Sequence, residues 1–325
     1  MDFFNNPLIK GLIILLVFLL LIILLNIYSK NQNIYSLIIN YLKRGKYEKA
    51  LNLLNSNKTK LSLPFYYSYS ILALSKLRRY NAALELEEPS LKEFPIDEGL
   101  YNNLGYTYYK IGNYKKAIDY SKKALDANPL DLFALSNLGF SYFNESELEK
   151  SHICFQKALS IRPNFIHAIT GEAFFYYVTE DYKNSAFYFN KLTELNPKDY
   201  NHYRRLGECY FYLNKLNDSA NTYKKALKLN PFDPKYYCEY ANILLYLGKI
   251  EEANNMLSKA IKIDSLYPVS YYSKARLCSL IHEKDLAVHY LEKAFILNPN
   301  LKTLAKNDVL LDNLRFFQSF NNLFL

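Results

Sequence analysis

Apolar positions recur along this chain with two periods, one nested in the other. In the stretch from Leu100 to Tyr109, residues Tyr101, Leu104 and Tyr108 fall three and four apart, which makes one apolar face of a helix. The same face returns every 34 residues, and prolines keep the register: Pro95, Pro129, Pro163, Pro197, Pro231 and Pro299, with Ser265 on the rung that lacks one. A period of that length predicts stacked helical hairpins, each too small to bury its apolar face alone. Seven such units run end to end over residues 64–97, 98–131, 132–165, 166–199, 200–233, 234–267 and 268–301.

Small residues keep the same register. Gly105, Gly139, Ala173, Gly207, Ala241 and Ala275 let a neighbouring helix approach closely. Ala117, Ser151, Ser185, Ser219, Ala253 and Ala287 form a second column where the two helices of a hairpin cross, and Ala124, Ala158, Leu192, Ala226, Ala260 and Ala294 a third. Gly112, Asn214 and Gly248 tolerate the left-handed geometry that ends a first helix. The ladder proline then stops the second helix. On these residues the chain resembles the tetratricopeptide repeat family over residues 64–301. The resemblance implies an all-α, right-handed superhelical solenoid of antiparallel helix hairpins. The chain departs from the family in placing Tyr101, Leu135, Ile169, Tyr203, Tyr237 and Tyr271 where tryptophan is frequent. Pro89 falls inside the second helix of the first unit, where it predicts a kink or a stop near Glu88.

Two segments flank the array. Residues 30–63 read as a degenerate hairpin one residue out of step, with Leu37, Tyr41, Gly45, Tyr47, Ala50 and Leu54 in the pattern. Residues 302–325 are amphipathic through Leu310, Leu311, Leu314, Phe317 and Phe320 and resemble the capping helix that closes many such arrays.

In the family the first helices line the concave side, so the resemblance implies a peptide-binding groove. Carried onto this sequence, its residues are Asn102, Tyr106, Tyr109, Phe133, Phe140, Phe143, Phe174, Tyr177, Arg204, Phe211 and Tyr212. An aromatic, weakly charged trough suits an extended or helical peptide with apolar anchors. The lysine–asparagine clamp by which some family members hold heat-shock chaperone tails is missing. Its places hold Asn102 and Tyr106, then Asn137, then His167 and Gly171, and the register starting at Arg204 and Glu208 fails equally.

Ahead of the hairpins, after a tail of residues 1–7, residues 8–28 are apolar but for Lys10 near one end and Asn26 near the other. That length matches the ~20 residues a helix needs to cross a bilayer core. The run is long for a signal peptide, lacks a clearly basic lead and offers no small-residue cleavage site, so an uncleaved single-pass anchor is expected. Lys30, Lys43, Arg44, Lys46 and Lys49 follow it, against Asp2 and Lys10 before it. The positive-inside rule then puts the repeats in the cytoplasm, with the outer side as the alternative.

Composition adds exclusions. A net charge of +9 is modest for 325 residues, and the recurring Lys123, Lys157, Lys191, Lys225, Lys259 and Lys293 occupy solvated positions, so nucleic acid is an unsuitable partner. Cys154, Cys209, Cys238 and Cys278 form no C-x-x-C pair and read as buried reduced thiols, and the five histidines have no ligand spacing. There is no phosphate loop, nucleophile elbow or metal motif. The chain therefore reads as a non-enzymatic, cofactor-free and metal-free scaffold at a membrane that binds proteins or peptides, with envelope-complex assembly or quality control as its narrower form. The alternative is the substrate-recruiting arm of a membrane-associated enzyme complex.

The anchor is testable directly. Carbonate-washed membranes should retain the full chain and release one starting at Asn31, and a mature N-terminus beyond residue 25 would make the segment a cleaved signal instead.

Overall fold

The computed structural model describes residues 19–20, 33–94 and 97–324, and every regular element among them is helical. No helix among the described residues is long and apolar enough to cross a membrane. The anchor expected over residues 8–28 lies outside them, apart from Leu19 and Leu20.

The chain divides at Pro163/Asn164 into two compact units. The first holds α1 (residues 33–43), α2 (Tyr47–Ser56), α3 (Leu63–Lys76), α4 (Tyr80–Leu84), α5 (Glu87–Glu93), α6 (Glu98–Lys110), α7 (Tyr114–Ala127), α8 (Leu132–Asn144) and α9 (Leu148–Ile161). The second holds α10 (Ile166–Val178), α11 (Tyr182–Leu195), α12 (Tyr200–Tyr212), α13 (Leu216–Leu229), α14 (Pro234–Tyr246), α15 (Ile250–Ile263), α16 (Pro268–Leu280) and α17 (Lys284–Leu297). After these come α18 (Leu301–Lys306), a 3₁₀ turn (Val309–Leu314) and α19 (Gln318–Asn322). In both units consecutive helices pair as hairpins, and each hairpin packs on the next.

The small columns are the buried seams of these hairpins. Ala117, Ser151, Ser185, Ser219, Ala253 and Ala287 are fully buried, as are Ala124, Ala158, Leu192, Ala226, Ala260 and Ala294. At Gly139 a Cβ would lie 2.6 Å from the Phe155 ring, and at Gly207 2.8 Å from the Tyr223 ring. Both rings lie on the second helix of the same hairpin, so the glycine makes the room that the ring fills.

First helices begin on an aspartate column, where Asp97, Asp131, Asp199 and Asp233 each accept a hydrogen bond from a backbone N–H of the first turn. They end on residues with positive φ spaced by 34: Arg78, Gly112, Ser146, Glu180, Asn214, Gly248 and His282. The N–H of the following residue bonds back to the first helix, as in Asn113 to the Tyr108 carbonyl at 2.9 Å and Glu283 to the Cys278 carbonyl at 2.9 Å. Glycine or asparagine marks three of these seven places in the sequence; the arginine, serine, glutamate and histidine adopt the same backbone because the tight turn demands it.

Three expectations need correction. The second helix of the first full unit breaks at Glu85–Leu86, not near Glu88. A proline ring clashes with the carbonyl four residues earlier, which for Pro89 is that of Glu85. Pro89 then sits in the first turn of α5, where its missing N–H costs nothing. The break turns Glu87 inward to accept hydrogen bonds from the Tyr108 and Tyr120 hydroxyls, both at 2.5 Å. In the leading hairpin Ile38 and Leu42 form the buried face and Leu37 is exposed. From Leu301 to residue 324 the chain forms three short pieces, not the one capping helix expected over residues 302–325. Their buried residues Leu301, Ala305, Leu311, Leu314 and Phe320 skip too far for a single helical face. Asp308 starts the 3₁₀ turn by accepting from Leu310 N–H at 3.0 Å, and Arg315 donates to the carbonyls of Lys306 and Asp308.

Left-handed geometry costs an L-residue about 1–2 kcal/mol, and glycine gives back ~0.5–1 kcal/mol of that as unfolded-chain entropy. Glu180→Gly and His282→Gly should therefore each raise stability by up to about 1 kcal/mol in denaturant titration. Unchanged or lowered midpoints would show that these side chains contribute more than their backbones cost.

Candidate functional site

The first-helix faces carry the candidate residues, and each unit presents its own set. In the first unit the ends of α3 and α6 bring two ammonium groups to one ring. Lys76 Nζ lies 4.0 Å from the Tyr106 centroid, and Lys110 Nζ lies 5.5 Å from Tyr106 and 5.3 Å from Tyr109. Burial lowers the Lys76 pKa and raises that of Tyr106. Tyr109 continues the row to Phe140 at 6.1 Å. Phe140 rests edge-on at 4.9 Å against Phe155, which is fully buried, so its ring is partly core. Asn102 accepts from the Asn137 amide at 2.8 Å, a bond between successive first helices. Beside Asn102 and the exposed Phe133 opens a cleft of about 490 Å³ that Ser68, Leu72, Asp131 and Arg162 also line. Phe143 is half-buried further along α8.

In the second unit Tyr177, Tyr182 and Tyr212 cluster, with Tyr182 and Tyr212 stacked at 4.4 Å and Tyr177 meeting Tyr212 at 6.4 Å. The Arg205 guanidinium spans Phe174 at 5.5 Å and Tyr177 at 5.3 Å, and Glu208 holds Arg205 at 2.9 Å. Burial, together with a hydrogen bond to Glu208, pushes the Tyr177 phenol well above its usual range. Phe174 sits edge-on at 5.5 Å over the buried Phe189. Phe211 contacts Tyr212 at 5.7 Å and Tyr246 at 5.3 Å, which extends the aromatic row to α14.

Arg204 is the exception among the expected groove residues. Its side chain is 9% exposed and makes a bidentate pair with Glu239, Nε to Oε2 and Nη2 to Oε1, each 2.9 Å. It ties α12 to α14 and is not free to meet a ligand. Burial raises the Glu239 pKa in spite of the arginine. Sequence position put Arg204 on the groove, but a partner 35 residues away captured it. Lys76, Tyr182, Arg205 and Tyr246 were missed. Tyr246 was within reach, because it repeats Tyr212 after 34 residues.

The four cysteines are free and buried, and burial raises their thiols to about 11 for Cys154, Cys209 and Cys278 and about 12 for Cys238. Thiols so far above neutral pH are poor nucleophiles. Among the described residues no group of His, Cys, Asp and Glu is placed to hold a metal ion.

With this geometry in place, comparison with known proteins identifies the repeats. The tetratricopeptide repeat profile matches residues 99–129, 134–165 and 203–233, and a second profile of the same description matches 222–253. The chain contains tetratricopeptide repeats. No curated protein sequence matches it. Among solved structures it is similar to one described as the functional characterization of Pseudomonas aeruginosa pilF. That likeness has TM-score 0.54 and 20% identity over 66% of this chain and 94% of that one. It is also similar to YrrB, described as a TPR protein with an unusual peptide-binding site, at TM-score 0.50 and 22% identity over 59% of this chain and all of that one. At these identities the likeness concerns the fold.

One ion pair in the second unit gives a pH test. Asp308, 2% exposed, accepts from Arg276 Nε at 2.6 Å and from the Tyr272 hydroxyl at 2.6 Å. Burial alone would raise its pKa, but the Arg276 and Tyr272 hydrogen bonds and the guanidinium charge hold it below the ordinary 3.8. A depressed carboxylate stabilises the fold above its unfolded pKa and loses that contribution as pH falls through the folded value. Asp308→Asn should lower stability at pH 7 by about 1.5–3 kcal/mol, with the gap to the parent narrowing below pH ~4. A gap independent of pH would show that the charge is not what holds this corner.

Proposed function

We propose that this chain is a membrane-anchored scaffold that binds peptide segments of other proteins on its first-helix faces. The observation that carries the reading is that both units present aromatic rings there, backed by structure but not covered by it. Phe133 is 53% exposed and Tyr212 51%, while Tyr106, Tyr109, Tyr177 and Phe211 are half-buried. Rigid rings bury large area at small entropic cost, which is what a peptide-holding surface needs. Residues 8–28 supply the anchor in this reading, and the basic residues after it favour the cytoplasmic side.

The role in this reading is non-catalytic. A recruiting arm for a membrane-associated enzyme complex uses the same surface, and a list of captured proteins separates the two.

The rings differ in what their loss should do. Phe133→Ala with Tyr212→Ala should weaken capture of partners from detergent-solubilised membranes by tenfold or more, at about 2 kcal/mol per anchor, with the melting temperature nearly unchanged. Phe140→Ala or Phe174→Ala should instead lower stability, because each ring packs on the core. Undiminished capture by the first pair would remove these faces as the binding surface.

A further inference from the structure

The turns that join one hairpin to the next expose large side chains along one edge of the second unit. Between α13 and α14 Phe232 is 80% exposed, and between α15 and α16 Leu266 is 71% exposed. Each follows a rung of the 34-residue ladder, so the two hold the same place in successive repeats. Leu229 and Ile263, the last residues of α13 and α15, are exposed beside them, and Ile296 and Leu297 continue the edge at the end of α17. The backbone under the two tips is held in place. Asn230 accepts from Phe232 N–H at 3.4 Å, and Asp264 accepts from Leu266 N–H at 2.8 Å.

The same edge is basic. Residues 221–235 and 255–269 are equivalent spans of the two rungs. They carry Lys224, Lys225, Lys228, Lys235, Lys259 and Lys262, all exposed, against Asp233 and Asp264. Both carboxylates are engaged by backbone, Asp233 by Lys235 N–H and Asp264 by Leu266 N–H. Among the described residues none of the six lysines makes an ion pair. The repeat does not require this composition. Where Lys228 and Lys262 stand, the earlier repeats have Asp126, Ser160 and Glu194, and where Phe232 and Leu266 stand, others have Asn164, Lys198 and Asn300. Apolar tips and unpaired lysines coincide on two successive rungs.

We infer that this edge docks on an anionic lipid surface. Phe232 and Leu266 enter the boundary between headgroups and acyl chains, and the lysines meet the lipid phosphates and carboxylates around them. Burial of the tips supplies one part of the attraction and the anionic headgroups the other. An acidic peptide or a nucleic acid would meet the lysines and leave the tips in water. An apolar protein face would cover the tips and leave the lysines without partners. An anionic bilayer answers both. The inference rests on the membrane-anchored reading above, which keeps a bilayer within reach, and adds a second, salt-sensitive contact far from the anchor in sequence.

The chain has no tryptophan, so Phe232→Trp creates a sole reporter at an exposed site. The test reconstitutes the full chain in vesicles with brominated acyl chains, of phosphatidylcholine alone or with added phosphatidylserine. Bromine should quench this tryptophan on the serine-containing vesicles only, and high salt should relieve the quenching. A Leu286→Trp reporter, about 16 Å away from Leu297 along α17, should stay unquenched. Lys228→Gln with Lys262→Gln should weaken the contact more than tenfold, at about fivefold per lysine, and spare the fold because both side chains are exposed. Equal quenching on both vesicles, or quenching indifferent to the lysine changes, would overturn the anionic-lipid assignment. A blue shift that grows with protein density but shows no quenching would give the edge to a second copy of the chain instead. Flotation of the same vesicles reports the anchor separately. A chain that floats with its reporter unquenched overturns the docking edge alone, and one that floats with neither vesicle overturns both readings.

Discussion

The structure depends on how closely the two helices of a hairpin can cross. Two columns of small residues on the second helix and one on the first are buried without remainder, and at Gly139 and Gly207 there is no room for even one carbon. In the α8–α9 and α12–α13 hairpins an aromatic ring occupies the space that the glycine leaves, so each of these two is a matched pair of a gap and a ring. The close crossing sets the direction in which each first helix presents its other face. Exposed or half-buried rings on that face follow from the packing beneath them.

Features imposed by backbone geometry and period were legible in the sequence, whereas features decided by a distant partner were not. The 34-residue ladder and the small columns gave the hairpins directly, and the columns survive the α4–α5 break, where Ala83 and Ser90 remain fully buried in register. Four of the seven left-handed turns escaped notice because arginine, serine, glutamate and histidine do not advertise positive φ. The terminal segment read as one helix because its apolar residues are dense, yet their spacing fits three short pieces.

The candidate site divides in the same way. Phe133 and Tyr212 are exposed as position on the first helix predicts, while Phe140 and Phe174 lean onto buried rings of the second helix and belong partly to the core. Arg204 shows the limit of reading by position, since a buried pairing to Glu239 depends on a residue one repeat away. Arg276 shows the converse. It gained a definite orientation from Asp308 in a segment with no repeat pattern, where periodicity carries no information.

Small residues on the first helix set how closely the hairpins cross, with a glycine facing a ring at Gly139 and Gly207, and a double-mutant cycle on Gly139 and Phe155 tests this most directly. Gly139→Ala alone should destabilise the chain by about 1–3 kcal/mol, because the new carbon meets the ring. In a Phe155→Leu background the same alanine should cost far less, leaving a coupling of 1 kcal/mol or more (about the size seen for residues in contact). An equal cost in both backgrounds would contradict the account.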